Sequence, residues 1–252
     1  DNGLVFAAAS EADAEAQRPR WLEFGRRANE ALDRCGYALC SGRVMAGQPL
    51  CCLAVDEWRR RFAHWVEHGG GNDLIAARIY FDLRPLAGNA ALAQPLVDLL
   101  RSPAAATPRF IKQLADLALA KPARLSWLGR VVPTAHEGRP MFDLKLNGTT
   151  LFVDAARLWA LAHRIDAVGT VPRLHAAADA LGVPAAERQA WLAGFDTLLG
   201  LRLRMQHGRR ADAHERAWVD WGDLGVHDRQ ALRQALRGAQ RMLQRIELDY
   251  CR

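Results

Sequence analysis

The chain has 252 residues, half of them apolar and a quarter charged, which suffices for one large or two ordinary domains with a real core. No apolar run approaches the roughly 18 to 20 residues that span a bilayer. The N-terminus lacks the basic lead of a signal peptide and meets Glu11, Asp13 and Glu15 early, so the expected compartment is the cytoplasm. The net charge of +6 rests on arginine far more than on lysine and interleaves with acids, as in Arg209-Arg210-Ala211-Asp212. That pattern argues against a nucleic-acid face and leaves small phosphate-bearing ligands as the compatible partners.

In chain order, Asp1 leads into a short strand-type stretch, Leu4-Val5-Phe6. After a polar, alanine-rich segment, Pro19 is expected to open a helix on which Trp21, Phe24, Ala28, Leu32 and Cys35 recur at helical spacing and which Gly36 stops. Residues 37–53 carry Gly42, Gly47 and Pro49 and read as a long loop, the kind that in a compact domain is functional or mobile. A helix from about Asp56 presents Trp58, Phe62 and Trp65 on one face and ends at Gly69-Gly70-Gly71. From Arg78 to Arg84, Ile79, Phe81 and Leu83 alternate with polar residues, the period-two pattern of a half-buried strand. It would carry Asp82 and Arg84 on one face and stop at Pro85. A helix over Ala90–Arg101 precedes Ser102-Pro103-Ala104-Ala105-Ala106-Thr107-Pro108, read as a linker dividing residues 1–103 from 104–252. Cys35, Cys40, Cys51 and Cys52 ahead of His64 and His68 invite a zinc reading, but without a Cys-x-x-Cys pair, reduced and buried thiols are preferred.

Beyond the linker, helical periods dominate. Phe110, Leu114, Leu117 and Ala118 form one stripe, Thr170 with Pro172 opens a helix that Gly182 closes, and long helices are expected over Pro184–Gln206 and His227–Tyr250. Met141–Lys145 and Thr150–Val153, joined across Asn147-Gly148, predict a β-hairpin. The fold class is therefore α+β and mostly α: a partial α/β domain whose sheet holds the Asp1 and Asp82 strands, then a helical domain containing one β-hairpin. Lys145 is one of three lysines and ends a predicted hairpin strand. Arg157, Arg173 and Arg202 fall within or beside apolar helical faces, where an unpaired guanidinium is costly. Each requires an internal carboxylate, with Asp143, Asp154 and Asp196 available, or a ligand phosphate.

Three motifs together resemble a known family. Asp1-Asn2-Gly3-Leu4-Val5-Phe6, then Gly36-Tyr37-x-x-Cys40-x-Gly42-x-Val44-Met45-Ala46, then Phe81-Asp82-Leu83-Arg84-Pro85-Leu86-x-Gly88 are similar to the nucleotidyltransferases of bacterial signalling proteins, relatives of the PII-protein uridylyltransferase in the DNA polymerase β superfamily. Asp143-Leu144-Lys145, Arg157, Thr170-x-x-Arg173-Leu174 and Leu201-Arg202-Leu203-Arg204-Met205-Gln206 resemble that family's substrate-binding domain in the same order. The family's Gly-Ser turn and the first aspartate of its Asp-x-Asp pair are absent, so the chain as given is expected to begin inside the motif and to bind metal poorly. The resemblance implies nucleotidyl transfer from a nucleoside triphosphate to an acceptor hydroxyl, a protein acceptor among the candidates, with Mg2+ or Mn2+ as cofactor. It makes Asp1 and Asp82 the catalytic and metal-binding residues, and Arg43, Arg84, Lys145, Arg157, Arg173, Arg202 and Gln206 the substrate contacts. It also implies a role in signal transduction and regulatory domains upstream. The alternative on the same scaffold is a non-catalytic nucleotide-sensing or protein-interaction module.

Overall fold

The computed structural model describes residues 1–206 and 217–251. Packing divides the chain into two compact units, Asp1–Ala105 and Ala106–Arg252, each taken by itself below.

In the first unit, β1 (Leu4–Phe6) pairs in parallel with β2 (Cys52–Ala54) in the register Leu4↔Cys52, Val5↔Leu53 and Phe6↔Ala54. Parallel neighbours need a long crossover, and α1 (Glu11–Arg34) supplies it. This helix begins eight residues before Pro19, the start expected from the sequence. Ser10 accepts a hydrogen bond from the Asp13 amide (3.2 Å) while Asp13 accepts one from Ala9 (2.8 Å), and this reciprocal cap nucleates the helix upstream. Pro19 is absorbed within it. The end falls where Gly36 predicts: Gly36 adopts φ 94°, its amide donates to Asp33 and the Tyr37 amide to Leu32, the two bonds of a Schellman motif.

Helix α2 (Val55–His68) buries Trp58, Phe62, Trp65 and Val66. Arg18 binds α1, β2 and α2 together, donating to the Cys52 carbonyl (2.9 Å) and to Glu57 (2.7 Å), whose carboxylate also caps the Ala54 amide. Burial works against ionisation of Glu57, yet Arg18 and the amide outweigh it and hold the carboxyl below its ordinary range.

The predicted Asp82 strand does not form. Residues Asn72–Tyr80 are helix α3, and Phe81 and Asp82 are its closing turn, with the Phe81 amide on Ala77 and the Asp82 amide on Ile79. A strand would send Tyr80 and Phe81 to opposite faces, whereas here Tyr80 stacks on Trp65 (5.4 Å) and Phe81 tilts against Phe62 (5.2 Å). The aromatic face of α2 captures both rings, and only a helical turn delivers adjacent side chains there. A 3-10 turn (Ala90–Leu92) and α4 (Gln94–Arg101), which packs on α2, complete the unit.

The second unit starts with α5 (Pro108–Leu119), capped by Thr107. β3 (Thr134–His136), β4 (Arg139–Asp143) and β5 (Trp218–Asp220) form an antiparallel sheet in that order. Its hairpin turns at Glu137-Gly138, both with positive φ, and not at Asn147-Gly148. The latter pair lies in a π-helical turn, Lys145–Thr149, that runs straight into α6 (Thr150–Ala162), so the predicted second hairpin strand is helix. Gly148 is needed for a different reason: a Cβ there would stand 3.1 Å from Leu198. Helices α7 (Thr170–Ala180), α8 (Ala185–Gln206) and α9 (Val226–Tyr250) close the core around Phe142, Leu144, Phe152, Trp159, Trp191 and Leu236. No described helix is long and apolar enough to cross a membrane.

Candidate functional site

In the first unit the loop that follows α1 meets a lock built from two asparagines. The residue after Asp1, Asn2, donates its amide to the Val44 carbonyl (3.0 Å), and its Oδ1 accepts from the Ala46 amide (2.7 Å) and from Asn29 Nδ2 (2.9 Å). Asn29, buried on α1, accepts the Gly47 amide in turn (3.2 Å). A Cβ on Gly25 would stand 2.8 Å from the Gly47 nitrogen and nearer still to the Ala46 carbonyl, and one on Gly47 would stand 2.8 Å from the Arg26 backbone. Residues 44–47 therefore lie directly on α1 and beside the start of β1, where Asp1 is exposed.

The other side of this loop reaches α3. The Cys51 thiol donates to the Arg43 carbonyl (3.8 Å) and lies 2.9 Å from the Tyr80 hydroxyl, two residues before Asp82. Burial, with the Cys51 contact behind it, raises the Tyr80 pKa and keeps the phenol protonated. Trp58 packs its ring on Tyr80 (5.0 Å) and donates to the Leu4 carbonyl (3.0 Å), so β1, α2 and α3 share one side chain. Burial pushes the neighbouring Cys52 thiol up to about 11, which leaves it protonated and unreactive at neutral pH. Cys35, expected on a buried stripe, is exposed, because α1 ends there beyond the core.

Arg43 is exposed, adopts φ 59° and donates to Gln48 (2.9 Å). A left-handed non-glycine residue costs about 1–2 kcal/mol. Arg84 is exposed on the segment after α3. Asp82 sits half-buried on a turn, not on a strand beside β1.

In the second unit, the Asp143 carboxylate, 2 % exposed, takes the amides of Lys145 and Leu146 (2.8 Å each) and so shapes the π turn from which the Lys145 side chain emerges exposed. Asp143 thus serves backbone, not the arginines for which the sequence offered it. Arg157 lies 4.0 Å from Asp154 on the same helix, Arg173 is buried and donates to the Ala167 carbonyl (2.9 Å), and Asp196 is exposed. Arg202 follows Leu198 by one turn of α8, and its Nε is buried without a hydrogen-bond partner among the described residues. Gln206 is the last residue of α8, and its side chain lies outside the described residues. Asp143→Ala strips an acceptor from two amides, each worth roughly 1–3 kcal/mol when left unsatisfied. Thermal unfolding followed by circular dichroism is expected to show a loss of about 2 kcal/mol or more for Asp143→Ala and much less for Asp143→Asn, which retains an oxygen acceptor.

Among the described residues no three His, Cys, Asp or Glu side chains gather to share a metal ion. Asp1 and Asp82 do not by themselves fit a Mg2+ or Mn2+ seat, which requires six ligands in near-octahedral array, several of them water.

A parallel βαβ unit with a loop locked beside its leading aspartate, joined to an arginine-bearing helical unit, defines a two-unit α+β protein. The family described as "Putative nucleotidyltransferase DUF294" matches residues 1–72, and that described as "Putative nucleotidyltransferase substrate binding domain" matches residues 108–250. The second match spans more than half of the chain, and the chain belongs to this family. No curated protein and no solved structure matches it. Asp82 and Arg84 fall between the two matched spans.

The Asn2–Asn29 lock escaped the sequence reading. Its signal is Gly25, a glycine inside an otherwise good helix, which costs about 1 kcal/mol against alanine and therefore marks a close approach.

Proposed function

We propose that the protein is a nucleotidyltransferase of uridylyltransferase-like type, acting in bacterial signal transduction and moving a nucleoside monophosphate from a triphosphate to an acceptor hydroxyl. The observation that carries this reading is the match of both units, in order, to a nucleotidyltransferase family and its substrate-binding domain. In the transfer, the acceptor oxygen bonds to the α-phosphorus as the bond to pyrophosphate breaks. Asp82 takes the hydroxyl proton, Asp1 lies beside the locked loop, and Lys145 sets a point charge against the phosphates. Mg2+ or Mn2+ is the cofactor implied by the family, and its remaining ligands would have to come from outside the described residues.

The second reading, a nucleotide-sensing module without catalysis, is favoured by the lack of a three-ligand cluster among the described residues. Calorimetric titration with UTP and ATP, with magnesium and with chelator, separates the two. With a Gly-Ser turn and an aspartate added ahead of Asp1, the chain is expected to bind one triphosphate only with magnesium. Asp82→Asn should abolish this binding, because a hard cation needs the charge that asparagine lacks. Lys145→Ala should weaken it about tenfold, roughly 1.4 kcal/mol, without removing the magnesium dependence. Binding that is indifferent to magnesium and to Asp82→Asn would leave the sensing module as the function.

A further inference from the structure

Helix α1 presents a second face that the nucleotide reading does not use. Gly25 and Asn29 turn towards the loop, but Trp21, Phe24, Ala28, Ala31 and Cys35 recur at alternating steps of three and four residues, the a and d spacing of a helix–helix seam. Trp21 anchors the seam to the core by stacking on Phe6 (5.9 Å), and Phe24 stands edge-on to Trp21 (6.2 Å) while 59 % exposed. Arg20, Arg27 and Arg34 occupy every g position beside it, all exposed and none in an ion pair among the described residues, and Arg20 lies over the Trp21 ring (5.5 Å). The acids nearest them, Glu23 and Glu30, are both taken by Arg26. A furrow lined by Phe24, Ala28 and Ala31, by the arginines of this row and by Arg26 with its paired Glu23 and Glu30 runs along the helix.

We propose that this face docks an amphipathic helix of a partner protein that carries Asp or Glu along the flank meeting the arginine row. Charge decides the occupant. A second copy laid antiparallel would bring arginine row against arginine row, and one laid parallel would set the arginines against Leu32 and against Gly25, which the loop already covers, so neither would neutralise them. An acidic helix gives the arginine row opposite charge and covers Phe24, whose ring buries a large apolar area at an interface.

The test uses designed helical peptides of about three heptads with leucine at a and d and either glutamate or lysine at e and g. Fluorescence anisotropy with the whole chain is expected to show binding of the glutamate peptide, weakening as salt is raised, and none of the lysine peptide. Phe24→Ala and Arg27→Glu, both exposed positions, should each weaken binding by about tenfold or more, because one removes the anchor and the other inverts the charge. The proposal is overturned if the two peptides bind alike, if both variants bind as the parent does, or if sedimentation shows the chain pairing with itself through a contact that Phe24→Glu breaks.

Discussion

Gly25→Ala is expected to destabilise the first unit by about 3 kcal/mol, the upper range for a side chain forced into a filled space. Two effects oppose each other. Alanine in place of glycine inside a helix gains about 1 kcal/mol of helix preference. The new Cβ, however, meets the Ala46 carbonyl and the Gly47 nitrogen, which are backbone atoms and cannot swing away. The steric term wins, because relief requires residues 44–47 to lift from α1, and lifting them breaks the Ala46 bond to Asn2 and the Gly47 bond to Asn29. Urea unfolding should record the loss, and amide hydrogen exchange at Ala46 and Gly47 should accelerate ahead of exchange in α2. Asn29→Ala removes the bonds without the clash and is expected to cost less, about 1–3 kcal/mol. Gly25→Ala as stable as the parent would show that the loop is not fastened to this helix.

Trp191→Ala is expected to cost about 3–5 kcal/mol in the second unit, as removal of a large core aromatic does. Trp191 and Trp159 stack at 4.8 Å and 16°, both without exposure, so alanine leaves a void against a second indole. Trp191→Phe should cost less than half as much. The indole N–H of each tryptophan is buried without an acceptor among the described residues, and an orphaned donor already costs the native state about 1–3 kcal/mol. Phenylalanine keeps much of the ring packing and removes one such donor. Denaturant midpoints, read with hydrogen exchange in α6 and α8, decide the matter. A phenylalanine variant as damaged as the alanine one would mean that the indole N–H is satisfied.

The amino-acid sequence by itself determined those elements whose cause lies within a few residues. The end of α1 was legible because Gly36 can take the positive φ that a Schellman motif requires. The face of α2 was legible because Trp58, Phe62 and Trp65 fall on one side of any helix drawn through them. The start of α1 was not, although its signal was present: Ser10 and Asp13 cap it, and Pro19 at a later turn drew the boundary too far downstream. The membership of the chain in its family was equally legible, since motifs such as Asp143-Leu144-Lys145 are strings of residues.

What only the tertiary structure decided were the outcomes that depend on a distant partner. The alternation from Arg78 to Arg84 suits a strand or a helix end equally until it is known what its rings can reach, and the aromatic side of α2 settled it as a helix end. Asn147-Gly148 has the composition of a hairpin turn, but Asp143 bonding forward to two amides winds the chain into a π turn, while Leu198 occupies the space over Gly148. Glu137-Gly138, with weaker turn chemistry, makes the hairpin because β5 arrives to pair with β4. The candidate site follows the same division. Asp1, Asp82 and Lys145 stand out as residue types, but the buried Asn29 and Gly25 that hold the loop beside Asp1 act through contacts made across 18 to 44 positions of chain, and a one-dimensional period carries no record of them.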